Sequence, residues 1–367
     1  MVTLSLAMIV RNEEASIEAV LRDAATFCDE LIVLDTGSTD STVQLAIAAG
    51  ARVGHFVWDD DFAAARNAAI ELCTQDWVVW LDADDRVPTA AQDSFSRLKN
   101  ELLSDDLDAV YLPYRIAYAP DGVQCTFELG RERLLRRAAG LRWQNKVHET
   151  VHLPEGARVV NRDDAWVEHR PPLAERAGRR DRNLRILQRS VAEGDRNPRT
   201  TFYLANELRD HQRFVEAIAA YQEFVAAAPV GWERHNALVS LAVCLTACER
   251  QDEALSTLHR AMQDDASRAD AFLAAGMIHY TAERWHQALP YFLAATGLRR
   301  PADGFVNNAD YGWAPWDFLS ICLHRTGRQL EALEALVKAA PGNPHPDRLA
   351  ENAKWFLKAE QEQALAG

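Results

Sequence analysis

Short apolar runs that alternate with helical segments constrain the fold of this chain more than any other feature. Four such runs occupy the first eighty-one or so residues, namely Leu4–Val10, Leu31–Leu34, Ala51–Val57 and Trp77–Leu81. The segments between them space their apolar residues as amphipathic helices do. Strands that alternate with helices predict an α/β domain with a largely parallel sheet and right-handed crossovers.

Polar or charged residues follow each of these runs: Arg11, Asp35, Asp59–Asp61 and Asp82–Asp85. The carboxyl ends of parallel strands share one edge of the sheet, and open α/β sheets bind ligands at that edge. Two carboxylates one residue apart, as in Asp82-Ala83-Asp84, can both turn toward Mg²⁺ or Mn²⁺ holding a diphosphate. An isolated D-x-D is usually a solvated acidic turn, but four converging polar ends indicate a site.

The second half of the chain has a helical period and an internal repeat. Equivalent alanines recur 37, 34 and 44 residues apart, at Ala217, Ala254, Ala288 and Ala332. The first two intervals are close to the period of about 34 residues that is typical of tetratricopeptide (TPR) repeats. An aromatic insertion between Pro301 and Pro315 lengthens the last interval, and we expect it to be exposed. The stretch Arg176–Arg182, with Pro171-Pro172 just before it, marks the boundary, which predicts domains at 1–175 and 176–367.

Charge and composition narrow the function. The 367 residues carry a net charge of −14, which argues against a nucleic-acid partner because such binders need a basic surface. No apolar stretch approaches the roughly 20 residues that span a bilayer. The start lacks the basic region of a signal peptide, and six cysteines without framework spacing indicate reduced thiols. These features predict a cytoplasmic protein with no membrane span.

Together, the motifs of the first half resemble glycosyltransferase family 2. The resemblance covers roughly residues 1 to 170 and rests on four stretches: Ser5–Glu14, Val33–Thr42, Phe62–Asn67 and Trp80–Asp85. It implies a GT-A domain, α/β and mostly parallel like a Rossmann fold, that transfers a sugar from a nucleotide-diphosphate donor. An all-α TPR-like domain would follow it.

The resemblance also implies roles on the donor side. Asp35 would accept a hydrogen bond from the base, and Arg66 would contact the base or a phosphate. Asp82 would reach the ribose, and Asp84 would bind Mn²⁺ or Mg²⁺. The nucleotide-sugar site would also include Arg11, Asn12, Glu13, Ala83 and Arg133. Asp35 as a turn or helix cap and Arg66 as a surface residue remain the alternatives.

On the acceptor side, an inverting transfer needs a base to take the acceptor proton. The resemblance places a His-Glu pair at His148 and Glu149. Glu149 is the expected base, and His148 is the second choice. His169 would be a further metal ligand. A structural Glu149 paired with Arg142 or Lys146 is the alternative. Arg131 and Arg133, expected in a polar loop, would help to hold the diphosphate, and a solvated basic strand is the alternative.

One departure from the family pattern concerns Asp85, where many relatives have the longer Glu. Any role that reaches past the metal is therefore in doubt.

Three competing motif interpretations fit less well. Asp35-Thr36-Gly37 matches an aspartic-protease signature, but that chemistry needs two such aspartates and a second D-[TS]-G is missing. An aspartyl-phosphate phosphatase needs a second aspartate two residues after the first, and Gly37 occupies that position after Asp35. Asp82 and Asp84 have this spacing, but Arg86 stands where that family has Thr or Val. A nucleotidyltransferase would have a glycine-rich basic loop after the first strand, and Arg11–Glu14 is not one.

The sequence therefore predicts a metal-dependent inverting transferase that moves a sugar from a UDP-sugar to a peptide or protein side chain or another acceptor. Chains that fuse such a domain to TPR repeats resemble bacterial peptide S- and O-glycosyltransferases. Transfer to cell-surface polysaccharide is one alternative, and a TPR scaffold with an inactive transferase-like half is another. The repeats would bind the acceptor or a partner, including a second copy of this chain.

Overall fold

The computed structural model describes residues 2–101, 107–118, 125–170, 176–301 and 304–366. Contacts divide the chain into two units, of which the first comprises Met1–Ala117 with Glu128–Gly194 and the second Tyr118–Phe127 with Asp195–Gly367. The helix Arg176–Ala192, which the sequence assigns to the repeats, is counted with the first unit in this division. Pro171-Pro172 and residue 175 lie outside the described residues, and the limits at 175 and 176 stay a prediction.

The first unit is an α/β domain. Its strands, in chain order, are β1 (Leu4–Val10), β2 (Glu30–Asp35), β3 (Arg52–His55), β4 (Trp77–Trp80), β5 (Asp85–Arg86), β6 (Ala109–Tyr118), β7 (Cys125–Arg136), β8 (Arg142–Gln144), β9 (Thr150–His152), β10 (Val159–Asn161) and β11 (Val167–His169). Its helices are α1 (Ile17–Ala24), α2 (Thr42–Ala48), α3 (Phe62–Leu72), α4 (Thr89–Glu101) and α5 (Arg176–Ala192). A short 3₁₀ helix covers Arg137–Ala139.

The main sheet has the strand order β3-β2-β1-β4-β7-β6-β11-β5. The first four strands are parallel, as the alternation with helices predicts. The sheet becomes mixed beyond β4, because β7 pairs antiparallel with β4 and β5 pairs antiparallel with β11. Only residues 119–124 separate β6 from β7, too few for the crossover that a parallel neighbour requires.

Both faces of the parallel half are buried, which explains why β1 is apolar almost throughout. Leu4, Leu6, Met8 and Val10 face one core, which they share with α1 and α4. Ala7 faces the other core, on the side of α3. Since buried parallel strands read as continuous apolar runs, the runs locate β1, β2 and β4 closely.

One expectation about this unit is wrong. Arg131 and Arg133 do not lie in a polar loop; both are on β7. Their strand was missed because charged residues, here the partly buried Arg131 and the buried Arg133, interrupt the apolar alternation that marks a strand. The acidic turn after β4 also leads directly into β5, whose two residues are Asp85 and Arg86.

The second unit consists of helical repeats. Its helices are α6 (Pro198–Asp210), α7 (Phe214–Ala227), α8 (Trp232–Ala247), α9 (Gln251–Asp264), α10 (Ala269–Thr281), α11 (Trp285–Thr296), α12 (Trp313–Arg325), α13 (Gln329–Ala339) and α14 (Pro346–Ala366). A two-residue strand, β12 (Val306–Asn307), and a 3₁₀ helix (Asn308–Tyr311) precede α12. The predicted fold class, an α/β domain followed by TPR-like helical repeats, is confirmed.

Each repeat turns in the same way. The residue two positions before each second helix has a left-handed backbone, at Gln212, Glu249, Glu283 and Gly327, with φ between 55° and 80°. An arginine follows as the N-cap of α7, α9, α11 and α13. The four repeat alanines come next, each at the fourth position of its helix and fully buried. A small side chain at this point lets the paired helices approach closely.

The insertion before α12 is less exposed than the sequence suggests. Phe305 is half-buried and packs edge-on against Trp232, with ring centroids 5.3 Å apart. Val306 is buried and Trp313, at the start of α12, is half-buried. The aromatic residues of the insertion therefore contribute to packing within the repeat unit. Contact between the rings removes a large apolar area from water.

Gly276 of α10 offers a test of this packing. A Cβ added there would lie 2.6 Å from Phe292, whose ring is fully buried. We expect Gly276→Val to lower the free energy of unfolding by about 1–3 kcal/mol, the usual cost of overpacking a core. Thermal unfolding of the full chain measures this effect. Gly297→Val is the control, because a Cβ there meets only Ala294 O, at 3.8 Å, and equal losses would contradict the packing.

Candidate active site

A cavity of about 300 Å³ lies at the carboxyl ends of β1 and β4, a volume at the lower end for small-molecule sites. Nine of the twelve residues expected in the site line it: Arg11, Glu13, Arg66, Asp82, Ala83, Asp84, His148, Glu149 and His169. They come from segments far apart in the chain. The sheet edge therefore brings the donor-side and acceptor-side candidates into one cavity. The other three, Asn12, Asp35 and Arg133, are not among its lining residues.

Helix α3 places Arg66 at the centre of this cavity. The Asp61 side chain accepts a hydrogen bond from Ala64 N at 2.8 Å and caps the helix. One turn later, Asn67 exchanges two hydrogen bonds with the backbone of Trp143 on β8. The Arg66 guanidinium lies over the ring of Trp80 at 4.6 Å and near that of Trp143 at 5.2 Å. The helix start and the indole rings therefore fix Arg66 in one orientation.

Arg66 joins the two halves of the site. Its Nη2 donates to Asp82 Oδ1 at 2.7 Å, and its Nε donates to Glu149 Oε1 at 2.6 Å. The guanidinium is 7% exposed, so both contacts are charge-assisted and little screened by water. Glu149 is thus held beside the acidic turn after β4 by Arg66, and not by Arg142 or Lys146.

The loop between β8 and β9 presents Glu149. Asn145 and His148 have left-handed backbones, with φ of 73° and 52°. Such values are uncommon outside glycine, and they concentrate at functional sites. Lys146 O accepts a hydrogen bond from Phe62 N at 2.8 Å. The start of α3 and the loop that carries the His-Glu pair are therefore tied together.

Asp84, Asp85 and His169 form a cluster whose potential ligand atoms all lie within 4.8 Å of one another. His169 Nδ1 is 3.6 Å from Asp84 Oδ2 and 3.7 Å from Asp85 Oδ1. Strand pairing explains the approach, since β11 places His169 opposite Asp85 of β5. Carboxylate oxygens with one imidazole suit Mn²⁺ and are acceptable to Mg²⁺. The residues thus fit the divalent cation that the family resemblance implies.

Arg133 lies behind these carboxylates and not in the cavity. Its side chain is fully buried, and Nη1 donates to Asp85 Oδ2 at 3.0 Å and to Trp80 O at 3.1 Å. The guanidinium is 3.8 Å from the Trp80 ring centroid and 4.1 Å from that of Tyr114. A buried ion pair of this kind supports the acidic turn from below, so a direct nucleotide contact by Arg133 does not fit its position.

Asp35 and Asn12 organise the two loops that follow β2 and β1. Asp35 accepts hydrogen bonds from Gly37 N at 3.2 Å and Ser38 N at 3.0 Å, the Asx-turn role that the sequence leaves open. Asn12 Oδ1 accepts from Thr39 N at 2.8 Å, which joins the loops after β1 and β2. Asp35 is 5% exposed, and its neighbour Thr36 lines the cavity. A nucleotide contact by Asp35 stays a proposal.

Burial and charge shift several pKa values in opposite directions. Burial raises the pKa of Asp82, but the charges of Arg66 and Arg133 outweigh it, so that the pKa is lowered from its ordinary value. Burial lowers the pKa of His169, but the nearby carboxylates of Asp85 and Asp84 raise it above the ordinary value. At neutral pH the site therefore holds Asp82 as a carboxylate.

Several lining residues of the cavity were not predicted from the sequence as members of the site: Thr36, Trp58, Phe62, Val147, Arg182 and Asn183. Trp58 and Phe62 contact edge-on at 4.7 Å, and Arg182 of α5 lies over Phe62 at 4.6 Å. Trp58 follows β3. The prediction of the site used only polar residues at strand ends, so it included the neighbouring Asp59–Asp61 and not the aromatic residue. Arg182 gives no such signal, because its place depends on how α5 packs.

Comparison with known proteins finds similarities that lie mainly in the first unit. The family model described as glycosyl transferase family 2 matches residues 5–165. A TPR repeat-containing protein of Synechococcus elongatus is 36% identical over 162 residues, 41% of this chain and 36% of that protein. Glycosyltransferase SunS of Bacillus phage SPbeta is 26% identical over 222 residues, 59% of this chain and 51% of SunS.

A third relative is the lipopolysaccharide core biosynthesis glycosyltransferase LpsC of Rhizobium meliloti. It is 33% identical over 181 residues, 46% of this chain and 63% of LpsC. The chain spans between about a third and about half of the length of the first two relatives. In the part of the chain that the structure describes, no helix is long and apolar enough to cross a membrane.

Proposed function

We propose that this chain, whose residues 5–165 match the family model described as glycosyl transferase family 2, transfers a sugar from a UDP-sugar to a side chain of a peptide or protein. The observation that carries the proposal is the Arg66 bridge, which joins Asp82 of the acidic turn to the candidate base Glu149. A protein that had become a scaffold would not need this charged, buried connection between two separated segments. The bridge therefore favours an enzyme over an inactive relative.

In this proposal Glu149 is the general base. Its Oε1 is engaged by Arg66, and its second oxygen, Oε2, takes the proton from the acceptor oxygen or sulfur. The acceptor atom then bonds to the anomeric carbon of the sugar. The bond from that carbon to the diphosphate oxygen breaks, and its electron pair leaves with UDP. A single displacement of this kind inverts the anomeric centre.

Asp84 and His169 would hold the divalent cation. When bound, Mn²⁺ or Mg²⁺ supplies charge to stabilise the leaving diphosphate. Asp82 faces the ribose, and Arg66 keeps it ionised and oriented. The loop that contains Arg11 and Glu13 also lines the cavity, and the nucleotide would lie against it. Arg131 lines the same cavity and is a further candidate for contact with the diphosphate.

A saccharide acceptor is the second candidate, and the similarity to LpsC, named for lipopolysaccharide core biosynthesis, favours it. The repeats provide a stacked helical surface of the kind that binds peptides, which favours the first. The inactive scaffold, the cytoplasmic location and a homodimer through the repeats stay predictions.

Nucleotide release tests the function directly. The full chain is incubated with Mn²⁺ and with UDP-, GDP- or dTDP-sugars, and the free nucleotide is measured with and without candidate peptides and saccharides. We expect nucleotide release from UDP-sugars and not from GDP- or dTDP-sugars. The release should increase when an acceptor is present. Release from GDP- or dTDP-sugars instead would overturn the donor assignment. No release from any donor by a folded sample would favour the scaffold.

A further inference from the structure

Tyr114 of β6 stands between Asp85 and His169 and is absent from the candidate residues so far. It is 7% exposed. Its hydroxyl is 2.8 Å from Asp85 Oδ1 and 2.9 Å from His169 Nδ1. The strand order places β6 next to β11, so the phenol is adjacent to His169. The hydroxyl therefore links an aspartate of the acidic turn to a candidate metal ligand.

Counting hydrogens fixes the state of His169. The Asp85 carboxylate pairs with the permanently charged Arg133 and can only accept hydrogen bonds, so the single hydroxyl hydrogen of Tyr114 points to Asp85. The hydroxyl oxygen is then the acceptor for His169. It follows that Nδ1 of His169 carries a hydrogen, and that in the neutral ring the lone pair available to a metal is on Nε2.

Asp85 is held from several sides. Oδ2 accepts from Arg133 Nη1 at 3.0 Å and from Asp82 N at 3.0 Å, and Oδ1 accepts from Tyr114. The side chain is fully buried. Two engaged oxygens leave Asp85 poorly suited to coordinate a cation, although it belongs to the cluster with Asp84 and His169. Its contacts are those of an anchor for the turn.

We propose that Tyr114 is a positioning residue of the metal site: anchored by Asp85 and Arg133, it holds His169 with the hydrogen on Nδ1, so that Nε2 and Asp84 bind the cation. The inference rests on the proposed function, because it requires that the cation binds at this cluster. Partners of metal-bound histidines commonly set the tautomer and the orientation of the ring, and their loss typically lowers metal affinity 10- to 100-fold.

Binding of Mn²⁺ to the full chain, followed by electron paramagnetic resonance in the presence of UDP, tests this without catalysis. We expect Tyr114→Phe to weaken Mn²⁺ binding by roughly 10-fold to 100-fold. Tyr111→Phe is the matched control and should bind as the wild type does. Tyr111 is three residues away on β6, and neighbouring odd and even positions face opposite sides of a strand.

A second measurement needs no substitution. Long-range ¹H–¹⁵N spectra of the ¹⁵N-histidine-labelled wild-type chain with Mg²⁺ and UDP identify the tautomer of His169, with His169→Gln for assignment. We expect hydrogen on Nδ1; hydrogen on Nε2 would overturn the inference even if Tyr114→Phe does not fold. Unchanged Mn²⁺ affinity in a folded Tyr114→Phe variant would overturn this inference but not the assignment of the metal site. Failure of the wild type to bind Mn²⁺ would overturn the metal assignment with it.

Discussion

Glu149→Gln is expected to lower the rate of sugar transfer by about 10²- to 10⁴-fold, the usual contribution of a positioned general base. The amide oxygen can still accept the hydrogen bond from Arg66 Nε, which reaches Oε1 at 2.6 Å in the native chain. Binding of UDP and Mn²⁺ should therefore change little. Steady-state kinetics with saturating donor, together with calorimetric binding of UDP, separates the two effects.

Glu155→Gln is the control for this prediction, because Glu155 is an exposed residue of the turn after β9. It should leave both turnover and binding unchanged. If Glu149→Gln retains more than about a tenth of the native rate, Glu149 is not the base. A large loss in His148→Asn would then assign the role to His148, which lines the same cavity.

Asp85→Ala is expected to lower the free energy of unfolding by about 3–5 kcal/mol, because removing one partner of a buried ion pair leaves the other charge uncompensated. Arg133 and Asp85 are both 0% exposed. The substitution also removes the acceptor for Tyr114 and for Asp82 N. Chemical denaturation of the full chain, followed by tryptophan fluorescence, measures the loss.

A double variant distinguishes the ion pair from a general loss of packing. Asp85→Ala with Arg133→Met removes both charges, and we expect it to recover part of the lost stability, since apolar replacements of buried pairs are often neutral. Asp93→Ala is the control, because Asp93 is exposed on α4. A loss below about 1 kcal/mol in Asp85→Ala would contradict the anchoring role of this pair.

The sequence predicts the parallel half of the sheet and the repeats well, since both have a regular apolar period. The run Leu4–Val10 coincides with β1, and the spacing of Ala217 and its equivalents gives the register of the helix pairs. Residues that interrupt a period are harder to assign. Arg133 reads as a polar loop residue, but the rings of Trp80 and Tyr114 and the carboxylate of Asp85 make its burial favourable.

The members of the candidate site could be predicted individually but not their contacts. Asp82 and Asp84 follow from the end of β4, and Glu149 and His169 from the family resemblance. The Arg66 bridge depends on how α3 packs against β8, which no local pattern specifies. Tyr114 could not be predicted either, because a tyrosine in an apolar strand is usually assigned to core packing. Its function depends on the hydrogen-bond partners that the sheet brings to it.

Calorimetric titration of the full chain with UDP, with and without Mn²⁺, tests the central claim most directly. We expect UDP to bind in the presence of Mn²⁺ and much more weakly without it. Asp84→Asn should abolish the dependence on Mn²⁺, and Asp93→Asn should preserve it, because Asp84 lies in the cluster with His169 and Asp93 does not. Binding of UDP that is equally strong without Mn²⁺, or that Asp84→Asn leaves unchanged, would contradict the account.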